Sequence, residues 1–226
     1  MGKQIRTLIV IFSSELHTWE VPLFRGAVVS AMGEKANLLF HNHLGDETLR
    51  YSYPLIQYKR VGKKACVVCV EEGVDTIGQF FTEANATLQV GEREMQLELE
   101  KIIPAKVLVQ LWKTSFVYHI NRWLPFNSAN YARYMAADSL TEKTQLLENI
   151  LKGNLLSMLK GLDIRLEEEL QVSIRELSPA FKVYSKGVPL MAFNAEFGCN
   201  LSIPNYLGIG KHVSMGYGVV HQKNKE

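Results

Sequence analysis

The succession of apolar patterns along the chain predicts an α+β protein made of two similar halves. Three observations carry this. A nearly continuous apolar run at residues 5–13 suits a central strand covered on both faces. Apolar residues recur at helical spacing after Pro22, after Gly73 and after Ser139. Strict alternation marks half-buried strands elsewhere, most clearly at Met191, Phe193, Ala195, Phe197 and Cys199.

In the first half, Pro22 suits the first turn of a helix. Leu23, Phe24, Ala27, Val28, Ala31 and Met32 give that helix its apolar side, Arg25 and Ser30 its exposed side, and Gly33 its end. Residues 37–43 return as a strand with Leu39, His41 and His43 on one face. Gly45-Asp46-Glu47 is a turn. Residues 51–60 and 65–70 are strands joined by a hairpin at Val61-Gly62-Lys63-Lys64. Residues 73–84 form a helix with Ile77, Phe80, Phe81 and Ala84 on one face. A half-buried hairpin follows, in which Met95, Leu97 and Leu99 alternate with Gln96, Glu98 and Glu100. The order β-α-β-β-β-α-β-β is a ferredoxin-like unit with an extra strand.

Pro104 marks the boundary, giving domains 1–104 and 105–226. Trp112, Phe116, Tyr118, Trp123 and Phe126 then stand among Lys113, His119 and Arg122, either as core or as stacking platforms for RNA bases. Residues 128–137 are a short helix. Ser139 and Glu142 form a capping box before a long amphipathic helix carrying Leu147, Ile150, Leu151, Leu155, Met158, Leu159 and Leu162, weakened in its middle by Gly153. Strands follow at 170–177, 181–184, 191–199 and 218–221. This half reads as a second, more degenerate unit of the same kind.

With 226 residues, 47% hydrophobic and 21% charged, the chain can bury a core. A net charge of +2 means that any nucleic-acid surface is a local patch. No apolar run reaches the roughly 20 residues of a membrane span, so no membrane role is expected. Cys66, Cys69 and Cys199 form no disulfide framework. In a strand, Cys66 and Cys69 point to opposite faces, which suits burial in a reduced cytoplasmic protein and not a shared metal.

The most distinctive stretch is residues 204–220, PNYLGIGKHVSMGYGVV. Gly208, Gly210, Gly216 and Gly218 fall within 11 residues, with Lys211, His212 and Ser214 between the pairs. Glycine lets backbone N–H groups approach a ligand, and N–H groups beside a lysine make an anion site. The spacing fits neither the dinucleotide fingerprint nor a P-loop. A tight structural turn is the alternative.

This GxGKxxSxGxG run resembles the glycine-rich signature of the RAMP-type CRISPR RNA-processing endoribonucleases. Two further stretches point the same way: Phe24-Arg25-Gly26-Ala27 followed by Phe40-His41-Asn42-His43, and Tyr53-Pro54-Leu55-Ile56-Gln57-Tyr58-Lys59. Together they resemble the b-type branch of the sixth Cas family. The resemblance implies two tandem ferredoxin-like (RAMP/RRM-like) domains and metal-independent cleavage of CRISPR repeat RNA, with no cofactor. It implies catalysis by histidines near His41 and His43, with Lys35 and Tyr53 (or Tyr51) as further catalytic candidates and His17 as a secondary one. The glycine residues with Lys211, His212 and Ser214 would bind RNA. Separately, Lys59, Arg60, Lys63 and Lys64 cluster at a hairpin, a run that is either a solvated end or a grip on the RNA backbone. An effector complex and a homodimer are the further partners it suggests.

The histidine chemistry stands on its own terms. Residues 41 and 43 on one strand face lie about 7 Å apart. Imidazole titrates near neutrality, so one ring can remove a 2′-hydroxyl proton while the other protonates the 5′-oxygen. Lys35, Lys211 or the loop amides would stabilise the charged transition state. Two other functions fit parts of the pattern. A non-catalytic RNA-binding RAMP subunit needs the loop but not the histidines. A metal-dependent enzyme would use His-x-His as a zinc pair, but no third ligand is legible. His119 and His221 read as structural.

Overall fold

The structure, a computed structural model, describes residues 2–32, 43–44, 48–49, 53–83, 87–185 and 187–223. The first strand, β1 (Lys3–Glu15), is the apolar run read from the sequence, extended at both ends. A short 3₁₀ turn, Thr18–Glu20, leads into α1 (Val21–Met32). The two-residue strands β2 (His43–Leu44) and β3 (Thr48–Leu49) pair with each other. β4 (Ile56–Val61) and β5 (Lys64–Val70) form the expected hairpin, with Val61 opposite Lys64 and Tyr58 opposite Val67. Then come α2 (Glu72–Glu83), the hairpin β6 (Thr87–Val90) and β7 (Arg93–Gln96), and β8 (Leu99–Val109).

The chain divides into two compact units. The first comprises residues 4–107 together with Ser214–Gly216, and the second holds the remainder. In the first unit the sheet order is β4-β5-β1-β8. Val21, Phe24, Val28 and Met32 of α1 and Ile77 and Phe80 of α2 pack with Val10, Phe12, Tyr58 and Val67 of the sheet. The alternate residues Ile9, Gln57, Lys59, Cys66 and Val68 are buried as well. Burial of both faces is what a continuous apolar run, without alternation, encodes.

Pro104, expected at a boundary, lies inside β8. Proline is tolerated there because β8 is an edge strand, where a missing N–H breaks no ladder. Most of β8 is solvent-exposed, so it lacks the apolar alternation that would reveal it in the sequence.

The second unit contains β9 (Leu111–Trp123), α3 (Ser128–Ala136), α4 (Leu140–Gly161), β10 (Val172–Leu177), β11 (Phe181–Ser185), β12 (Val188–Leu201) and β13 (Val219–Gln222). The Ser139 Oγ accepts from the Glu142 N–H at 3.1 Å, and the Glu142 carboxylate accepts from the Ser139 N–H at 3.4 Å. This is the capping box that starts α4. Leu147, Ile150, Leu151, Leu155, Met158 and Leu159 form its buried stripe. Trp123 is fully buried and donates from Nε1 to the Asn154 Oδ1 at 3.0 Å.

The second sheet runs β10-β12-β9-β13, with β11 added to β12. Each unit thus places its strands in the same order: second, third, first, fourth. In the first unit α2 connects the third and fourth of these strands, with β6 and β7 inserted. In the second unit residues 202–218 make that connection without a helix.

The start of α1 is fixed by a buried ion pair. Glu20 is 2% exposed and receives Arg93 Nε at 2.7 Å and the His17 N–H at 2.7 Å. The Arg93 hydrogen bond holds the Glu20 carboxyl below its ordinary value. Stability from a depressed carboxyl is complete above the ordinary carboxylate range and is lost as pH falls through the folded value. Arg93→Ala is expected to cost about 3 kcal/mol, the low end for breaking a buried pair because Arg93 itself is partly solvated. Thermal unfolding at pH 7 measures this, and the deficit should shrink as pH falls below about 4.

Candidate functional site

The glycine-rich segment is held mainly by backbone hydrogen bonds. The Ile209 N–H donates to the Gly218 carbonyl at 2.8 Å, Lys211 N–H to Leu124 at 3.1 Å, and Gly218 N–H to Arg122 at 3.1 Å. Three amides that the sequence offers to an anion are therefore already occupied. Gly210 and Gly218 have φ of +98° and +62°. A Cβ at Gly210 would lie 2.9 Å from the Trp123 ring, and one at Gly218 would collide with the Ile209 carbonyl. Both glycines are thus required by the fold itself.

Side chains gather around this frame. His212 Nδ1 and Ser185 Oγ are 2.9 Å apart. The His212 ring meets the Tyr217 ring edge-on at 6.0 Å. The Tyr217 hydroxyl donates to the Tyr184 carbonyl at 3.2 Å, and the Arg122 guanidinium sits 4.6 Å over the Tyr217 ring. Lys211 is exposed beside this cluster. Sequence reasoning named Arg122 only as one of several bases among aromatics and did not pick out Tyr217, because nothing local in the sequence pairs the two.

The tip of the segment, Ser214–Gly216, belongs to the first unit. There the Tyr58 N–H donates to the Ser214 carbonyl at 3.1 Å, and Tyr58 and Met215 form a parallel bridge. Gly216 approaches Val21 so closely that a Cβ would lie 2.9 Å from the Val21 Cγ1. One end of the predicted RNA-binding segment is therefore fixed to β4 and to the first turn of α1.

Lys35, His41 and Tyr51 lie outside the described residues. His43 opens β2, paired with Leu49. Tyr53 is half-buried just ahead of β4. His17 is exposed, with its ring 6.1 Å from that of Trp19. Among the described residues no group of three or more His, Cys, Asp or Glu is placed to hold a metal ion.

Lys59 departs from expectation. It is completely buried, on the opposite face of β4 from Tyr58 and opposite Cys66 in the register. Burial lowers its pKa to about 7 and raises that of the Cys66 thiol to about 12. A completely buried amine cannot grip a phosphate backbone, so Lys59 is a core residue in this structure. The basic run Lys59-Arg60-Lys63-Lys64 misled because it follows sequence adjacency, whereas burial follows strand parity. Among the aromatics, Tyr118 and Trp123 are core, while Trp112 is 41% exposed. His119 and His221 face each other across β9 and β13 at 5.4 Å, and His119 Nε2 lies 3.6 Å from the Glu196 carboxylate.

Two successive ferredoxin-like units, the second with a glycine-rich segment ahead of its last strand, define the class as tandem RAMP-type proteins. The chain belongs to the Cas6b family: its N-terminal domain model matches residues 3–107 and its C-terminal domain model residues 110–223. A crystal structure of Cas6b superposes with a TM-score of 0.87 at 25% identity, covering 98% of this chain and 100% of that one. A crystal structure of the CRISPR RNA processing endoribonuclease Cas6b gives 0.77 at 23% identity over the same shares. A RAMP protein binding different RNA substrates gives 0.56 at 10% identity, over 98% of this chain and 99% of that one. An uncharacterized protein of Methanocaldococcus jannaschii is 46% identical over 101 residues, which are 45% of this chain and 67% of that protein. No described helix is long and apolar enough to cross a membrane.

The buried Lys59 has a measurable signature. Its folded pKa lies below its unfolded value, so the unfolded chain binds the extra proton between about pH 7 and 10 and stability rises with pH there. Lys59→Met should raise stability at pH 7 and flatten the pH 7–9 rise, which reaches at most about 1.4 kcal/mol per pH unit. Urea unfolding across that range is the test, and an unchanged slope would place the amine in contact with water.

Proposed function

We propose that the protein cleaves CRISPR precursor RNA once within each repeat, without a metal, by attack of a 2′-hydroxyl on the adjacent phosphate. The observation that carries this is the match to both Cas6b domains, which together span residues 3–107 and 110–223. Two imidazoles, His41 and His43, divide the proton transfers. One takes the 2′-hydroxyl proton; the other delivers a proton to the departing 5′-oxygen. The products are a 2′,3′-cyclic phosphate and a 5′-hydroxyl. Lys35 and Tyr53 or Tyr51 are supporting candidates for charge stabilisation and positioning.

The glycine-rich segment supports this reading in a specific way. With three of its amides occupied by carbonyls, its contribution to binding comes from its side chains and from the shape they are held in. Lys211 supplies an exposed cation, and His212 supplies an imidazole with one ring nitrogen tied to Ser185. The substrate is repeat RNA; assembly with an effector complex or a second copy belongs to the same reading.

The test is cleavage of a repeat RNA from the same genome in excess EDTA, with a 2′-deoxy substrate at the cut position as control. Cleavage is expected with the ribose substrate and not with the deoxy one. His41→Ala/His43→Ala should slow it by about 10³-fold or more, since each proton transfer is typically worth about 10² to 10⁴. The rate should be bell-shaped in pH, with both limbs in the range where imidazoles titrate. Tight binding without cleavage would make this a non-catalytic RNA-binding subunit. Loss of activity in EDTA would make it a metal enzyme.

A further inference from the structure

We propose that Tyr184 is a stacking platform for one unpaired base of the repeat RNA, and that Lys182, beside it on β11, takes a phosphate of the same strand. The inference rests on the RNA-binding function proposed above. It adds to that function two residues of a hairpin that the sequence presents as an ordinary strand.

Strand parity sets these two residues out. In β11, Val183 and Ser185 are buried, and Lys182 and Tyr184 alternate with them on the exposed side. Tyr184 lies opposite Pro189 of β12, and Lys182 opposite Met191. Cross-strand partners share a face, so Tyr184, Lys182 and the exposed Pro189 stand together on the outer face of the hairpin. Tyr184 is 68% exposed, which leaves most of its ring in water. Positions two apart on a strand are separated by about 7 Å. A base on the ring and a nearby backbone phosphate are therefore within reach of the pair.

The ring is tied to the glycine-rich segment. The Tyr217 hydroxyl donates to the Tyr184 carbonyl at 3.2 Å, and the Ser185 Oγ lies 2.9 Å from His212 Nδ1. Tyr217 and His212 both belong to residues 204–220, and all four residues lie in the second unit. Tyr184 and the exposed Lys211, which precedes His212, are thus carried on one frame. A tyrosine on a fixed strand has only two χ angles to immobilise, so it offers contact area at low entropic cost.

Exposure alone does not select Tyr184, since single exposed apolar residues are common. Charge selects it. Between Glu176 and Glu226 the only acidic side chain is Glu196, while Lys182, Lys186, Lys211, Lys223 and Lys225 fall in the same stretch. Glu196 pairs with β9 and β10, beyond the part of β12 that β11 covers, and is engaged by Lys223 at 2.9 Å. Trp19 is also 68% exposed, but it stands between Glu15 and Glu20, and Arg93, which grips Glu20, is flanked by Glu92 and Glu94. An aromatic face among lysines suits single-stranded RNA, because the ring covers the flat of a base and the cations meet the backbone. An aromatic face among carboxylates repels that backbone.

The experiment is equilibrium binding of a non-cleavable repeat RNA, 2′-deoxy at the cut position, over a series of KCl concentrations. Wild type, Tyr184→Ala, Tyr184→Leu, Tyr184→Phe and Lys182→Ala are compared, each with its melting temperature. Tyr184→Ala is expected to weaken binding about tenfold, the loss of one stacked base. Its slope of log Kd against log salt should match wild type, because stacking releases no counterion. Tyr184→Leu should lose as much, since it keeps apolar bulk without a ring, and Tyr184→Phe should recover most of the affinity. Lys182→Ala should reduce the slope by roughly one ion. Melting temperatures should stay close to wild type, because both side chains are exposed. If wild type binds and Tyr184→Ala matches it, the platform is overturned alone, and the exposed ring is left to a protein partner. If Tyr184→Ala unfolds, Tyr184→Leu decides, and wild-type affinity there overturns the platform. Tyr184→Phe as weak as Tyr184→Ala overturns stacking in favour of a contact to the hydroxyl. An unchanged slope in Lys182→Ala overturns the phosphate contact. Wild-type protein that binds no repeat RNA overturns the function first and the platform with it.

Discussion

The hydrogen bond from the Tyr58 N–H to the Ser214 carbonyl ties the last part of the chain into the first unit. Much of the local architecture depends on this return. It lays Met215 alongside β4 and brings Gly216 against Val21 at the start of α1. The close approach of Gly216 explains why a side chain is excluded there. The start of α1 is in turn set by Glu20, whose carboxylate is gripped by Arg93 from β7. A helix whose first turn is pinned by an ion pair and covered by a loop tip has little freedom to rotate.

The repeated strand order exposes what is special about the second unit. Both sheets run second, third, first, fourth. In the first unit the third and fourth of these strands are linked through α2, which caps the core. In the second unit that connection carries the glycines, and no helix fills the place. The missing helix would have satisfied its own backbone. Here carbonyls of residues 122 and 124, at and just beyond the end of β9, and the segment's own groups do that work. Glycine is demanded because carbonyls and the Trp123 ring come too near for a Cβ. On the reading proposed above, anion binding by such a loop would lie in the side chains it holds out, Lys211 and His212, more than in free amides.

Much of this was legible from residue pattern. The apolar run of β1, the Pro22 start of α1, the Gly62 hairpin and the Ser139 capping box all encode local structure through local chemistry. Elements set by non-local burial were not legible. β8 carries Pro104 and exposed residues on both faces, and only its edge position makes it a strand. Lys59 looks like a solvated base beside Arg60, yet the second face of the sheet is also covered, which no window of sequence reports. Arg25 was assigned to solvent because the apolar stripe of α1 leaves it out. Its neighbour on the helix, Val21, faces a segment nearly two hundred positions away. The histidine pair was legible as chemistry, but His41 lies outside the described residues.

The placement of charge bears on where the proposed RNA binding would fall, at the glycine-rich segment or on the sheet of the second unit. On that sheet His119, His221 and Glu196 stand on neighbouring strands in register. Glu196 is only 8% exposed, and the Lys223 ammonium at 2.9 Å, with His119 close by, keeps its carboxyl below the ordinary range. Burial and the neighbouring His119 lower the pKa of His221. A fixed carboxylate with its cations already engaged presents little to attract a phosphate chain. The net charge of the whole protein is only +2, so long-range attraction is weak. Affinity must then come from a few cations held at short range, where a rigid backbone fixes their direction. On the reading proposed above, the exposed Lys211, on a segment whose backbone is fixed by hydrogen bonds, would meet that requirement.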